Sequence, residues 1–251
     1  MAQVESRHWW HGGMRATAAA MLATRQHPGP AATMLDAGCG TGGNLWFLQR
    51  YHGRVFGVDL SPAALERVPA TLAQQVSRAS VLTLPFVDHC FDLVTSFDVL
   101  YHCGVPDERA ALLEVQRVLR PGGYLLLRLP AYEWLRSKHD RAVHTRRRYT
   151  ARQVQQLLHE TGYVIERCSY VNSLLFPLAL VQRLLERVLP AVEQAESDLT
   201  LPPASVNRML RLPLALEAQW LRLGQRFPYG LSVLCLARTD DHSTTRRAAH
   251  G

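Results

Sequence analysis

The chain has 251 residues, 47% of them hydrophobic and 20% charged, a balance that excludes an intrinsically disordered protein and suffices for a full core. Its net charge of +7 comes from arginine, with Lys138 the single lysine; the arginines are scattered apart from Arg146-Arg147-Arg148, so a nucleic-acid partner is not expected. Five cysteines without a C-x-x-C pair exclude a disulfide framework, and the longest apolar run, residues 174–181 with Pro177 inside it, is too short to span a bilayer.

In chain order, residues 1–7 hold no apolar core for a secretory leader, and a cytoplasmic location is expected. Met14, Ala18, Met21 and Leu22 recur at helical spacing and predict a helix over 8–26, closed by His27-Pro28-Gly29-Pro30; residues 1–30 read as an N-terminal helical cap. A strand is expected at 33–37 with a helix near 43–51. A second strand is expected at 54–59, after which Ser61-Pro62 supply an N-cap and a first-turn proline. A poorer third strand falls at 76–80 and a fourth at 91–96. A helix over 106–119 should bury Leu112, Val115 and Leu119, ahead of a fifth strand at 123–129. Thr150-Ala151-Arg152-Gln153 is a capping box for a helix with Val154, Leu157 and Leu158 on one face, stopped by Gly162. The sixth strand is expected at 163–170 and the last at 231–237, as an antiparallel edge partner.

This alternation predicts an α/β fold with a doubly wound, Rossmann-like open sheet over residues 31–170. Residues 171–230 break the pattern with two helical stretches, 174–189 and 205–226, the second carrying Pro213, which should kink or split it. Between them 195–203 is polar, then proline-containing. An insert of this length can build a lid. Residues 231–238 return to the core and 239–251 read as a disordered tail.

The most informative stretch is Leu35-Asp36-Ala37-Gly38-Cys39-Gly40-Thr41-Gly42-Gly43-Asn44. A glycine-rich turn between a parallel strand and a helix lets the backbone touch a ligand, because no Cβ intervenes. Nineteen residues after Gly40, Asp59 ends the second apolar run, where such folds bind the ribose hydroxyls of an adenine nucleoside. Gly38, Gly40 and Gly43 also satisfy G-x-G-x-x-G, so a dinucleotide and a dinucleotide-dependent oxidoreductase must be weighed. Asp36 argues otherwise, since a fixed carboxylate suits a cationic ligand better than a pyrophosphate. Taken with Leu84-Pro85-Phe86 before Phe91-Asp92-Leu93-Val94, and with Leu119-Arg120-Pro121-Gly122-Gly123 before Tyr124-Leu125-Leu126-Leu127, the chain resembles the class I S-adenosylmethionine (SAM)-dependent methyltransferases, in particular their small-molecule, type 11-like group.

The resemblance implies seven strands with the last inserted antiparallel beside the fifth and sixth, and SAM as cofactor. It implies that the backbone of Gly38 and Gly40 meets the methionine part and that Asp36 lies near the amino group or sulfonium. Asp59 would take the ribose and Leu60 pack on the adenine. Ser80 stands where many relatives place an acid on the adenine amino group, followed by Val81, and Phe97 would face the methionine part and the acceptor. The fourth-strand exit, Ser96-Phe97-Asp98-Val99-Leu100-Tyr101-His102, lacks the Asp/Asn-Pro-Pro-Tyr/Phe of amino-methylating relatives and the Pro-Cys of the cytosine-C5 type. Asp98 has no Asp-Asn partner after Leu129-Pro130, so no metal is expected.

His102, just past the fourth strand at the carboxyl edge, is the candidate general base. Tyr101, Tyr132, His144 and Arg148 are candidate acceptor contacts, the Arg146-Arg147-Arg148 group being suited to a carboxylate or phosphate. His8-Trp9-Trp10-His11 reads either as a lid over the cofactor or as a staple of the first helix to the core. The expected reaction is methyl transfer to a small-molecule acceptor, at oxygen, with a SAM-binding, non-catalytic protein bearing a basic nucleic-acid or lipid surface as an alternative. The apolar stretch 173–189 admits a hydrophobic acceptor or a membrane-surface contact beside a plain lid packed on the sheet.

Overall fold

A computed structural model of the chain describes residues 9–23, 31–188 and 203–240. The leader reading of 1–7, His8, the helix stop at 27–30, most of the polar stretch 195–203 and the tail beyond Asp240 lie outside the described residues.

The elements are α1 (Trp9–Ala23), β1 (Thr33–Ala37), α2 (Gly43–Gln49), β2 (Arg54–Asp59), α3 (Pro62–Leu65), β3 (Val76–Arg78) and β4 (Phe91–Phe97). They continue with α4 (Glu108–Val118), β5 (Leu119–Pro130), α5 (Lys138–Ala142), α6 (Ala151–Glu160), β6 (Tyr163–Val171), α7 (Phe176–Val188), α8 (Ala204–Arg222) and β7 (Ser232–Thr239). One seven-stranded sheet runs in the order β3-β2-β1-β4-β5-β7-β6. The first five strands are parallel to one another, and β7 lies antiparallel between β5 and β6. The edge on that side is therefore β6, not the last strand.

The sheet alternates its side chains between two apolar layers. Leu35, Leu125 and Leu127 face the layer completed by Leu112 and Val115 of α4 and by Val154 and Leu157 of α6. Met34, Leu126 and Leu234 face the layer completed by Met21 of α1, Leu45 and Leu48 of α2 and Leu221 of α8. β1 sits at the centre and is buried along its whole length, as a parallel strand covered on both faces must be.

Local signals set the helix starts. Ser61 accepts from the Ala64 N–H with Pro62 in the first turn, and Thr150 and Gln153 form the reciprocal capping box. α4 starts on an Asp107 cap, one residue beyond the expected Pro106, because its carboxylate accepts from the N–H groups of Arg109 and Ala110. Leu119 belongs to β5 rather than to the helix: Arg120-Pro121-Gly122-Gly123 is drawn into the strand, with a register shift opposite Phe91 and Leu93. The third strand stops at Arg78, so Ser80 sits beyond it, bridging to Thr83.

Pro213 does not split α8, which runs from Ala204 to Arg222. The helix is held by α1: Met14, Leu175 and Leu214 form a small core with Trp9, Trp10 and Leu210 packed on it. The tryptophans thus serve as the staple. Gly13 makes the close approach possible, since a Cβ there would lie 2.0 Å from Leu214 Cδ1 and 2.7 Å from its Cβ. In a free helix Gly→Ala gains about 1 kcal/mol, whereas overpacking costs about 1–3 kcal/mol. Gly13→Ala should therefore lower the thermal midpoint; a rise would show that α1 and α8 do not meet here.

Candidate functional site

The loop leaving β1 is bent by backbone bonds that only small residues permit. The N–H groups of Gly38 and Cys39 both donate to the Val58 carbonyl at 2.8 Å. Gly38 has φ +92° and its missing Cβ would strike Val99 Cγ2 at 2.1 Å; Gly40 has φ +54° and faces open space. Asp59, at the end of β2, fixes the loop from the other side. Its Oδ2 accepts from the Gly40 N–H at 2.8 Å and its Oδ1 from the Ser61 N–H at 2.9 Å. Each oxygen keeps a lone pair for a further donor.

These elements border a cavity of about 470 Å³, within the usual range for a small-molecule cofactor. Gly38, Gly40, Asp59 and Leu60 line one part of it, Ser80 and Val81 another, and Phe97 and His102 a third. Sequence reasoning had named all eight. It had weighed Asp98 only as a metal ligand and set it aside, yet Asp98 also lines the cavity. Asp98 holds φ +60° just past β4, and Arg128 donates to its Oδ2 from Nη2 at 2.5 Å and from Nε at 3.1 Å. The same guanidinium lies 5.0 Å over the Phe97 ring.

Asp36 is not part of the cavity wall. It lies fully buried within the sheet, where Asp36 and Thr95 are register partners on β1 and β4, and the Thr95 hydroxyl donates to its Oδ1 at 2.7 Å. Its Oδ2 has no hydrogen-bond partner. Burial pushes its carboxyl up to about 7, partly offset by the Thr95 hydroxyl, the nearby Asn44 side chain and the Arg128 charge. Asp36 can thus act on a ligand in the cavity only as a charge beneath the loop.

His102 does not present a basic nitrogen. Its Nδ1 accepts from the Gly104 N–H at 2.9 Å, which puts the proton of the neutral ring on Nε2 and makes that nitrogen a donor.

A second cavity, of about 200 Å³, shares Asp98 with the first. Tyr101 and Arg148 line it, as does Asp140, which the sequence did not flag. Arg148 is committed within the protein: Nε and Nη2 grip the two Asp140 oxygens at 2.7 and 3.1 Å, and Nη1 donates to the Ala131 carbonyl at 2.9 Å. Burial would raise the Asp140 carboxyl, but Arg148 and Ser137 hold it below its usual range. Trp10 of α1 and Ala179 and Arg183 of α7 complete the wall, so cap and insert both reach this cavity.

Tyr132 and His144 line neither cavity. Tyr132 is stacked between Trp134, 5.5 Å away, and Tyr170, at 5.1 Å. His144 meets His102 ring to ring at 5.8 Å, and its carbonyl accepts from the Cys103 N–H. Both stand at positive φ in connecting chain, which turns their side chains in a way that spacing along the sequence does not reveal. Among the described residues, no three His, Cys, Asp or Glu side chains are grouped as metal ligands.

Residues 35–127 match the family of methyltransferase domains. The chain is 32% identical over 145 residues to the O-methyltransferase resE of Aspergillus sclerotiorum, covering 52% of this chain and 54% of that one. It is 33% identical over 103 residues to the 2-methyl-6-phytyl-1,4-hydroquinone methyltransferase of Synechocystis sp., covering 39% and 32%. It thus spans between a third and about half the length of these curated relatives. In fold it is similar to the geranyl diphosphate C-methyltransferase of Streptomyces coelicolor, solved with S-adenosyl-L-homocysteine, at a TM-score of 0.56 and 17% identity over 84% of this chain and 70% of that one.

The buried Asp36 gives a pH test. With its folded value raised to about 7 from 3.8, the protonated form is favoured by folding. The contribution of Asp36 to stability is fully present below about 4 and is lost as the pH rises towards about 7, by roughly 4 kcal/mol for a full shift. Asp36→Asn should remove this fall, so the unfolding free energies of wild type and variant diverge between these limits. Parallel curves would show that Asp36 is not buried as described.

Proposed function

We propose that this chain, a member of the class I SAM-dependent methyltransferases, transfers a methyl group to the oxygen of a small-molecule acceptor. The observation that carries the reading is the pair of cavities meeting at Asp98, one built on the glycine loop and Asp59, the other from the cap and the insert.

The first cavity fits the cofactor on three counts. Gly38 and Gly40 leave backbone bare where the methionine part would lie. Asp59 keeps two acceptor positions for the ribose hydroxyls, and the half-exposed Leu60 beside it offers an apolar face to the adenine. Asp36 supplies a buried carboxyl with one unsatisfied oxygen, a favourable neighbour for a cation. A pyrophosphate would meet the Asp59 carboxylate and lie above the buried Asp36 carboxyl, which disfavours a dinucleotide.

When bound, SAM supplies a methyl group on a positively charged sulfur whose departure is already favourable. The protein is therefore left with alignment and the exclusion of water. Phe97, held under Arg128, fixes the wall between cofactor and acceptor. Asp98 accepts a hydrogen bond from the acceptor hydroxyl, turns its oxygen towards the methyl group and takes the proton that this oxygen loses. His102 donates from Nε2 to a second acceptor oxygen. The second cavity suits a compact acceptor: Trp10, Tyr101, Leu135 and Val143 offer apolar contact. The relatives' names, a phytyl hydroquinone and geranyl diphosphate among them, support an acceptor with an apolar part.

Two variants separate the roles. Asp59→Ala should weaken S-adenosylhomocysteine binding by about 1–3 kcal/mol, measured by calorimetry, through lost hydrogen bonds to a charged acceptor. Asp98→Asn keeps a residue that tolerates positive φ, and should leave that affinity unchanged while lowering turnover of labelled SAM at least about tenfold. If NAD(P) stabilises the protein in a thermal-shift titration and S-adenosylhomocysteine does not, the reading is wrong.

A further inference from the structure

The outer face of α8 carries a pattern that methyl transfer does not use. Met209, Leu212, Leu216, Trp220 and Leu223 follow at steps of three, four, four and three residues, which places them in one strip along the helix. They are exposed by 62, 62, 64, 47 and 73% respectively. Together they present on the order of several hundred Å² of apolar surface, as much as the largest patch on a typical soluble monomer. The packing side is a different one, with Leu214, Ala218 and Leu221 buried. Between the two sides, along one flank, stand Arg208 and Arg222, both exposed. The single carboxylate of the helix, Glu217, is buried and accepts the N–H groups of Asn172 and Leu174 at 2.7 Å each. The helix therefore offers no exposed acid beside its arginines.

We propose that this face of α8 docks onto an anionic lipid bilayer, with the helix lying in the plane of the interface. The apolar strip enters the boundary between headgroups and acyl chains, and the arginines along its flank meet lipid phosphates. Trp220 suits that depth, being apolar in its ring and polar at its N–H. The contact is interfacial, since none of the described helices is long and apolar enough to cross a membrane. Charge selects this occupant. A second copy seated antiparallel on the same strip would bring one arginine flank against another, with no exposed carboxylate on either helix to separate them. A nucleic acid would satisfy the arginines but leave the methionine, leucines and tryptophan in water. An anionic bilayer satisfies both halves of the face.

The test uses the full chain and needs no turnover, so it stands apart from the methyl-transfer reading. In co-sedimentation, vesicles of equal parts phosphatidylglycerol and phosphatidylcholine should bind the protein at least about tenfold more tightly than pure phosphatidylcholine, and added salt should weaken the binding. Arg208→Gln with Arg222→Gln should reduce it about 25-fold, at roughly fivefold per arginine. Leu216→Ser with Leu223→Ser should abolish it, while both pairs keep the wild-type melting temperature because all four side chains are exposed. Absence of binding, equal binding to both vesicles, or binding indifferent to either pair of substitutions overturns the proposal. So does a dimer in sedimentation velocity that the leucine pair disperses, or binding to RNA, without vesicle binding.

Discussion

The site depends on one tie, the carboxylate of Asp59 gripping the Gly40 N–H across the end of the sheet. β1 and β2 are neighbouring parallel strands, so the loop from one and the terminus of the other meet at the same edge. The Val58 carbonyl takes two N–H groups from the loop and Asp59 takes a third, which leaves the glycine turn no freedom to swing into the cavity. The cost of ordering so many glycines falls on the unfolded state's entropy, and four hydrogen bonds from Gly38, Cys39, Gly40 and Ser61 offset part of it. The result is a bare backbone surface in a fixed place beside a carboxylate with acceptor capacity to spare.

Below that surface the electrostatics are deliberately unfinished. Asp36 has the Thr95 hydroxyl on one oxygen, no hydrogen bond on the other and the Asn44 side chain nearby, in a setting that water does not reach. A buried carboxyl in this state costs stability when charged, and it takes up a proton near neutrality instead. A cation placed above the loop lowers that cost, whereas an anion raises it. The preference for a positively charged ligand is therefore built into the core of the sheet rather than into the lining of the cavity. Asp98 shows the opposite design: it is exposed to both cavities and already neutralised by Arg128, so it can orient a neutral acceptor without repelling it.

Much of this could be read from the chain because the chemistry is local. β1 and β2 have the bounds the apolar runs indicated, and Gly38, Gly40, Asp59 and Leu60 lie within one turn of those strand ends. The capping box at Thr150 and the N-cap at Ser61 are likewise short-range statements. The second cavity was harder to see because its wall joins residues 10, 98, 140, 148 and 183, which no spacing rule connects. Asp140 carried no signal in the sequence, and its pairing with Arg148 shows only in the fold. Tyr132 and His144 looked like acceptor contacts because they sit in the right loops, but positive φ and aromatic stacking turn them elsewhere. His102 lines the cavity, and the Gly104 N–H that meets its Nδ1 is a matter of backbone geometry that spacing does not show.

The cap and the insert solve a problem that the sheet by itself leaves open. A doubly wound sheet offers a ligand crevice along its carboxyl edge, but an acceptor there would stand in water, and water competes for every polar contact and raises the local dielectric. Packing α1 on α8 through Gly13 and Leu214 brings Trp10 over that edge, and α7 brings Ala179 and Arg183 from the other end of the chain. Neither segment holds a residue of the glycine loop, so acceptor choice can change through them while the cofactor cradle stays as it is. The close contact between two helices more than 190 residues apart thus holds Trp10 at the wall of the second cavity, which stays partly open.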